Sequence, residues 1–198
     1  MRKNKVVDND SGYDHLVETF GDIDGVYVTV GVHSEQNDPH KDDDGSSGIN
    51  IARLAAVHEY GAEIDHPGGT PYVMTSSGVR FLPKGSSKAT GVTKPHKIVI
   101  PERSFLRATM SDKKQHLSSM SAKLIGNVID GKMSIDRAFK LLGEEAAALV
   151  KERMGSSKLK PLAASTIRKK TVDGKKGTSP LIDTGQLVNS IGYQVHGL

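Results

Sequence analysis

Two consecutive stretches of apolar residues at helical spacing constrain the fold of this chain more than any other feature. Apolar side chains recur every three or four residues over 106–128 and again over 135–150. This spacing places them on one face of a helix, so each helix needs another layer against which to bury that face. Pro101-Glu102 marks the expected start of the first helix, and Ser134 is the expected N-cap of the second.

Strands are predicted from a different pattern, the alternation of side chains along an extended backbone. In residues 25–32, valines alternate with Tyr27 and Thr29, which is typical of a half-buried strand. Gly78 lies in a turn between two short runs of strand-forming residues, so these runs predict a hairpin. The predicted strands are residues 25–32, 71–75, 79–82, 97–100 and 190–195.

A short helix is predicted between the first strand and the hairpin. Asn50 is its expected N-cap, Tyr60 its last residue and Gly61 its stop signal. The acidic stretch 33–48 is expected to be a loop, and a helical turn is expected at Leu187. Because strands and helices are segregated along the chain, we predict an α+β fold, with a small, mostly antiparallel sheet backed by two longer helices and one short helix.

The length suits a single domain over residues 1–198. Residues 66–100 hold prolines and glycines without helical periodicity, and we expect them to be a β-hairpin and loop insertion. Residues 156–180 are expected to be a basic linker. We expect no exposed apolar stripe on the surface other than the stripes of the predicted helices.

Charge is distributed unequally along the chain. Residues 1–65 carry 5 Lys and Arg against 14 Asp and Glu, whereas residues 66–198 carry 22 against 9. The first segment is therefore net −9 and the second net +13. The most basic tract, 151–176, is compatible with DNA, with an acidic protein surface or with simple solvation. Aromatic residues, which single-strand binders use as stacking platforms, are absent from 151–176.

Several classes of protein are excluded by composition. The chain has no cysteine, which excludes a disulfide scaffold, a thiol nucleophile and a cysteine-ligated metal. No stretch approaches the roughly 20 apolar residues of a membrane span. The polar N-terminus lacks the apolar segment of a signal peptide, so we expect a protein made in the cytosol and without a membrane partner.

Candidate catalytic motifs are incomplete. His58-Glu59 resembles the start of the zinc motif HExxH, but the position of the second histidine is Ala62. A metallohydrolase with ligands from His58, His66 and an acid of 63–65 stays as a minor alternative. The Gly174–Ser179 segment has the residue types of a phosphate loop in the wrong order. We therefore predict no catalytic residue, no metal ligand, no cofactor and no enzymatic activity.

Three stretches of the chain carry motifs in a distinctive order. They are ARLAAVHEYGA at Ala52–Ala62, HKIVIPERSFLR at His96–Arg107, and PLAASTIRKK followed by PLIDTGQLVNSI over 161–191. Their order and spacing are similar to those of the small neck and tail-completion proteins of tailed bacteriophages, which include the minor tail protein Z-like and virion-morphogenesis families. In such proteins a proline commonly stands where this chain has Ser104, and a serine can cap the helix instead.

The resemblance implies a structural virion protein of the head–tail connection, present in the tail or neck and assembled in the bacterial cytoplasm. It implies a homo-oligomer, most simply a hexameric ring, that contacts neighbouring neck, tail-terminator or tail-tube proteins. The motif residues are expected to build the fold, with Asp183 or Thr184 capping the last short helix. These structural residues are Gly61, Phe105, Leu106, Asp183, Thr184, Gly185 and Leu187.

The basic tract is the expected contact surface. Its charges would touch an acidic face of a neighbouring subunit or the DNA in the lumen of the ring. A DNA-binding protein that uses the 151–176 tract is accordingly the alternative function. The candidate contact residues are Arg168, Lys169, Lys170, Lys175 and Lys176.

Overall fold

The structure is a computed structural model that describes residues 11–33, 39–41, 47–76, 78–164, 166–167, 179–182 and 185–198. The helices are α1 (Ser11–Ile23), α2 (Ile51–Tyr60), α3 (Arg107–Asp112), α4 (Lys114–Ile129), α5 (Ile135–Gly155) and α6 (Gln186–Asn189). The strands are β1 (Tyr27–Val32), β2 (Pro39–Lys41), β3 (Ser47–Asn50), β4 (Ala62–His66), β5 (Pro71–Thr75), β6 (Gly78–Phe81), β7 (Gly91–Val92), β8 (His96–Ile100) and β9 (Ile191–His196).

The first and last strands pair with each other and pack on the longest helix. β1 and β9 are antiparallel, from Tyr27 opposite His196 to Val32 opposite Ile191. Both strands lie against α5, where the ring of Tyr193 comes so close to Gly143 that a Cβ there would lie 2.3 Å from Cδ2 of the ring. Glycine at position 143 therefore permits the close approach of helix and sheet.

Two apolar clusters occupy opposite halves of α5. The larger cluster surrounds Phe105, Val150 and Met154, and it also receives side chains from α2, α6 and β9. The smaller cluster joins Leu124 and Val128 of α4 to Ala138, and Ile23 of α1 packs against it. Burial of the two predicted helical stripes in these clusters supplies the main hydrophobic stabilisation of the described chain.

The α+β class is confirmed, but the strands form four small antiparallel sheets among the described residues instead of one. β1 pairs with β9, β2 with β3 and β4 with β8, while β6, β5 and β7 form a three-stranded sheet. The predicted hairpin at 71–82 and the strand at 97–100 are confirmed within one or two residues. The capping predictions are also confirmed, since Asn50 accepts a bond from the Arg53 amide and Ser134 from the Arg137 amide.

Several predictions of the elements were wrong or incomplete. The helix expected from Pro101 begins at Arg107 and is divided at Lys113 into α3 and α4. Part of the expected loop 33–48 pairs as the β2–β3 hairpin. The sequence patterns predict no element at α1, β4 or β7. β4 is not evident in the sequence because its five residues carry charges on one face and its pairing partner, β8, is distant in the chain. The side chains of Glu63 in β4 and Lys97 in β8, which bond to each other, are 34 residues apart.

No helix in the described ranges is both long enough and apolar enough to cross a membrane.

We predict that the two glycines inside the long helices respond oppositely to alanine. Gly143→Ala should destabilise the protein by about 1–3 kcal/mol, because the new methyl group meets the Tyr193 ring. Gly126→Ala is the matched control. Its Cβ would enter open space, so the better helix propensity of alanine should raise stability by up to about 1 kcal/mol. Chemical denaturation measures both variants, and equal effects would contradict this account of the α5–β9 contact.

Candidate functional site

A single buried carboxylate joins two of the three stretches that resemble the phage family. Glu59 lies in the last turn of α2 and is 3% exposed. Its Oε1 accepts hydrogen bonds from Ser104 Oγ at 2.7 Å and from Arg107 N and Nε at 2.9 and 3.1 Å. Its Oε2 accepts from the amides of Phe105 and Leu106 at 2.8 and 2.9 Å. We call this arrangement the Glu59 junction, formed by Glu59 and residues 104–107.

The electrostatics of the junction favour an ionised carboxylate. Burial by itself raises the pKa of Glu59, but the amides of Leu106 and Arg107, the Ser104 hydroxyl and the Phe105 amide outweigh it, and the net pKa is lowered. The amides belong to the first turn of α3 and the residues before it, where helix N–H groups have no carbonyl partner within the helix. A negative charge is favourable at this end of a helix.

Ser104 takes the place that the family resemblance gives to proline. Its hydroxyl donates to Glu59 and accepts a bond from the Ala108 amide at 3.1 Å. The expectation that serine caps this helix is met only in part: the cap position is Leu106, without a side-chain bond, and Ser104 binds an amide of the first turn from two residues further back.

Gly61 ends α2 and lies in close contact with the end of β8 and the residues that follow it. Its φ of 76° and ψ of 172° lie in a region that is essentially restricted to glycine. A Cβ at this position would lie 2.9 Å from both Ile100 O and Glu102 N. The chain thus needs glycine for two separate reasons, conformation and close approach.

The guanidinium of Arg107 closes the junction from the solvent side. It forms an ion pair with Glu102 at 2.8 Å and lies 4.4 Å from the centre of the Tyr60 ring. It also donates to the carbonyl of Glu59 at 3.0 Å. A charged hydrogen bond, an ion pair and a cation–π contact therefore hold one arginine over the end of α2.

The predicted structural residues around the junction converge on the larger apolar cluster. Phe105 is fully buried there, Leu187 of α6 is buried beside it, and Leu106 packs against the cluster. Gly185 precedes α6 with a φ of 79°, as expected of a glycine at this turn. Asp183 and Thr184 lie outside the described residues.

The candidate zinc ligands are not brought together. His66 stacks on His96, with the ring centres 4.9 Å apart, and Glu63 pairs with Lys97 at 3.0 Å. Burial, reinforced by the nearby Arg103, lowers the pKa of His58 and so favours the uncharged imidazole. Within the part of the chain that the structure describes, no group of three metal-ligating side chains is found.

Basic residues near the junction bind other parts of the same chain. Arg103 is buried and donates to the carbonyls of Lys160 and Pro161 at 2.9 and 3.3 Å. Arg153 pairs with Asp112 at 2.6 Å. These contacts are structural. The candidate contact residues Arg168, Lys169, Lys170, Lys175 and Lys176 lie outside the described residues, so their role stays a prediction.

Residues 62–100 form an extension that we call the β arm. It consists of the β4–β8 ribbon followed by the β6–β5–β7 sheet. Neither apolar cluster contains a residue of the β arm among the described residues. Its exposed large apolar side chains correct the expectation that the surface has no apolar stripe; they are Ile64, Met74, Val79, Phe81, Val92, Ile98 and Val99.

Sequence reasoning missed the importance of Glu59, although one signal was present. An acidic residue in the last turn of a helix opposes the helix dipole, and it needs donors from elsewhere to be stable. For α1 the signal is the helical spacing of Leu16, Phe20 and Ile23. Comparisons with family models, curated proteins and solved structures give no match for this chain.

We predict that Glu59→Gln lowers the free energy of unfolding by about 3 kcal/mol. The side-chain NH2 of glutamine is a hydrogen-bond donor. It would face groups that are also donors and that now donate to the carboxylate. For a chain of this length, that loss corresponds to a fall in Tm of about 6–12 °C. Glu102→Gln is the matched control: this exposed acid also pairs with Arg107, and its loss should change stability by less than about 1 kcal/mol. Similar losses in the two variants would contradict the role assigned to Glu59.

The same carboxylate predicts a pH dependence of stability. Its pKa is lower in the folded than in the unfolded protein, so its contribution is complete above the unfolded pKa and is lost as pH falls through the folded pKa. The difference in unfolding free energy between wild type and Glu59→Gln should therefore shrink below the ordinary titration range of glutamate. Urea denaturation at a series of acidic pH values measures it, and a constant difference would refute this linkage.

The two turn glycines should differ in their tolerance of alanine. Both have φ near 80°, but a Cβ at Gly185 would make only an ordinary contact of 3.7 Å with Asn189. Gly61→Ala should therefore cost about 3 kcal/mol or more, since strain and a backbone clash add, and Gly185→Ala about 1–2 kcal/mol. Gly185→Val should exceed Gly185→Ala because its side chain is β-branched. A Gly61→Ala protein that melts like wild type would show this description of the α2 terminus to be wrong.

Proposed function

We propose that this chain is a non-enzymatic structural protein of the head–tail connection of a tailed bacteriophage. In this proposal it completes the tail or joins it to the head as one subunit of an oligomeric ring, most simply a hexamer. Neighbouring neck, tail-terminator or tail-tube proteins would be its other partners. The proposal begins from the three sequence stretches that resemble neck and tail-completion proteins.

The observation that carries the proposal is the use of the motif residues at the Glu59 junction. The carboxylate of Glu59 and the backbone of 104–107 satisfy each other, and Phe105 and Leu187 enter the same apolar cluster. Side chains that are buried and satisfied in this way hold chain segments together. This is what a scaffold that presents surfaces to other proteins requires.

A second observation supports assembly. The β arm exposes apolar side chains outside both clusters, and large exposed apolar patches are typical of protein interaction sites. Along the chain, the β arm begins directly after Gly61 and ends at Ile100, four residues before the segment 104–107 of the junction. The junction would thereby fix the direction of an arm that contacts a neighbour.

The test is removal of the chain from a phage that encodes it. An early stop codon in the gene should give DNA-filled heads and separate or incomplete tails, counted by negative-stain electron microscopy. Wild-type protein supplied from a plasmid should restore joined particles, and Glu102→Gln, the control variant defined above, should restore them as well. Joined, infectious particles without the protein would overturn the proposal.

The DNA-binding alternative has its own readout. If phosphate contacts of the basic tract are the main function, the purified protein should bind DNA with an affinity that falls steeply as salt rises. A gel-shift series at increasing salt measures this. Tight, salt-sensitive binding combined with normal joining of heads and tails would favour the alternative over the structural role.

A further inference from the structure

One face of the β5–β6 hairpin is entirely apolar and faces outward. The register places Tyr72 opposite Phe81 and Met74 opposite Val79, so these four side chains share one face. Met74, Val79 and Phe81 are each more than half exposed, and the Tyr72 ring covers Gly91 of the adjacent strand. We call these four residues the hairpin face.

The segment of the chain that contains the hairpin is basic in sequence. Residues 67–97 contain no Asp or Glu. They contain five basic residues, namely Arg80, Lys84, Lys88, Lys94 and Lys97. Of these, Lys97 is paired with Glu63 of β4, and Arg80, opposite Val73, lies on the other face of the hairpin, so among the described residues Lys84, Lys88 and Lys94 supply the unpaired charge nearest the hairpin face. A partner for this face should therefore combine an apolar stripe with negative charge.

Helix α1 of the same chain has these two properties. Tyr13, Val17 and Phe20 follow one another at spacings of four and three, and each is more than half exposed. A neighbouring side of the helix carries the buried Thr19 and Ile23, and Ile23 packs against the cluster that includes Leu124 and Val128 of α4. The outward stripe, which we call the α1 stripe, is thus an apolar surface that α4 leaves uncovered.

The charge around the α1 stripe is opposite to that of the hairpin face. Residues 11–33 contain no Lys or Arg. Their acidic residues are Asp14, Glu18, Asp22 and Asp24. Two hairpins or two α1 helices brought together would juxtapose like charges, whereas α1 against a hairpin pairs apolar with apolar and acid with base.

We propose that the α1 stripe of one copy docks on the hairpin face of the next copy. Within a single copy both surfaces stay exposed, so each copy has one of each to offer, and the contact is head-to-tail. Head-to-tail contacts build a ring when the rotation between copies closes. The inference rests on the proposed function only for the presence of a ring, because the contact itself concerns two copies of this chain.

Disulfide cross-linking tests the contact directly, because the natural chain has no cysteine to interfere. The two variants are Val17→Cys on the α1 stripe and Val79→Cys on the hairpin face, with a size tag on one of them. Under mild oxidation, the mixture should give a mixed dimer several-fold more abundant than either dimer of identical variants. Rising salt should lower that yield, since the opposite charges are then screened.

Two controls separate docking from random collision. Ala122→Cys, at an exposed position of α4, should give little mixed dimer with either partner. Adding Phe81→Ser to Val79→Cys should lower the yield without unfolding the protein, because Phe81 is exposed and outside both clusters. Circular dichroism melting curves verify the folding of each variant.

Each outcome decides the proposal. A dominant mixed dimer that Phe81→Ser abolishes supports it. Dominant dimers of identical variants would show an isologous contact and overturn it, as would equal yields with the Ala122→Cys control or no dimer at any protein concentration. If mixed dimers form but phage particles assemble without the protein, the contact between copies is supported and the proposed virion function is wrong.

Discussion

The buried carboxylate of Glu59 is the interaction on which the arrangement of the other segments depends. An ionised group removed from water is strongly unfavourable unless donors replace its hydration, and here five donors surround the two oxygens. Four of the five come from residues 105–107, so the backbone there must turn its amides toward α2. This requirement explains why the helix predicted from Pro101 begins only at Arg107.

The division of the long helical stripe at Lys113 follows from the two clusters along α5. Leu106 and Met110 pack against the larger cluster, while Leu124 and Val128 belong to the smaller one. α3 is further held by the pair of Asp112 with Arg153 near the end of α5. One apolar period in the sequence thus serves two separate packing sites, and the short α3 and the longer α4 reach them independently.

The surface of the protein is organised by the separation of charge that the sequence already contains. The acidic segment 1–65 includes α1, and the basic remainder includes residues 66–100 of the β arm; both α1 and this part of the arm carry exposed apolar side chains. Apolar area provides attraction at short range, while opposite charges decide which surfaces meet. A subunit with two such surfaces is suited to repeated association with copies of itself.

By itself, the sequence determined the α+β class, the limits of α2, the start of α5, the position of β9 to within one residue, the caps at Asn50 and Ser134, and the need for glycine at positions 61 and 185. These features depend on local periodicity, on side chains that bond to nearby amides, and on the conformational freedom of single residues. Only the tertiary structure decided the role of Glu59, the pairing of β4 with β8, and the exposure of α1 and the hairpin face. Each of these depends on groups distant in the sequence, such as Glu59 and Leu106, and no local pattern specifies which distant donor a carboxylate will meet or which apolar face will stay uncovered.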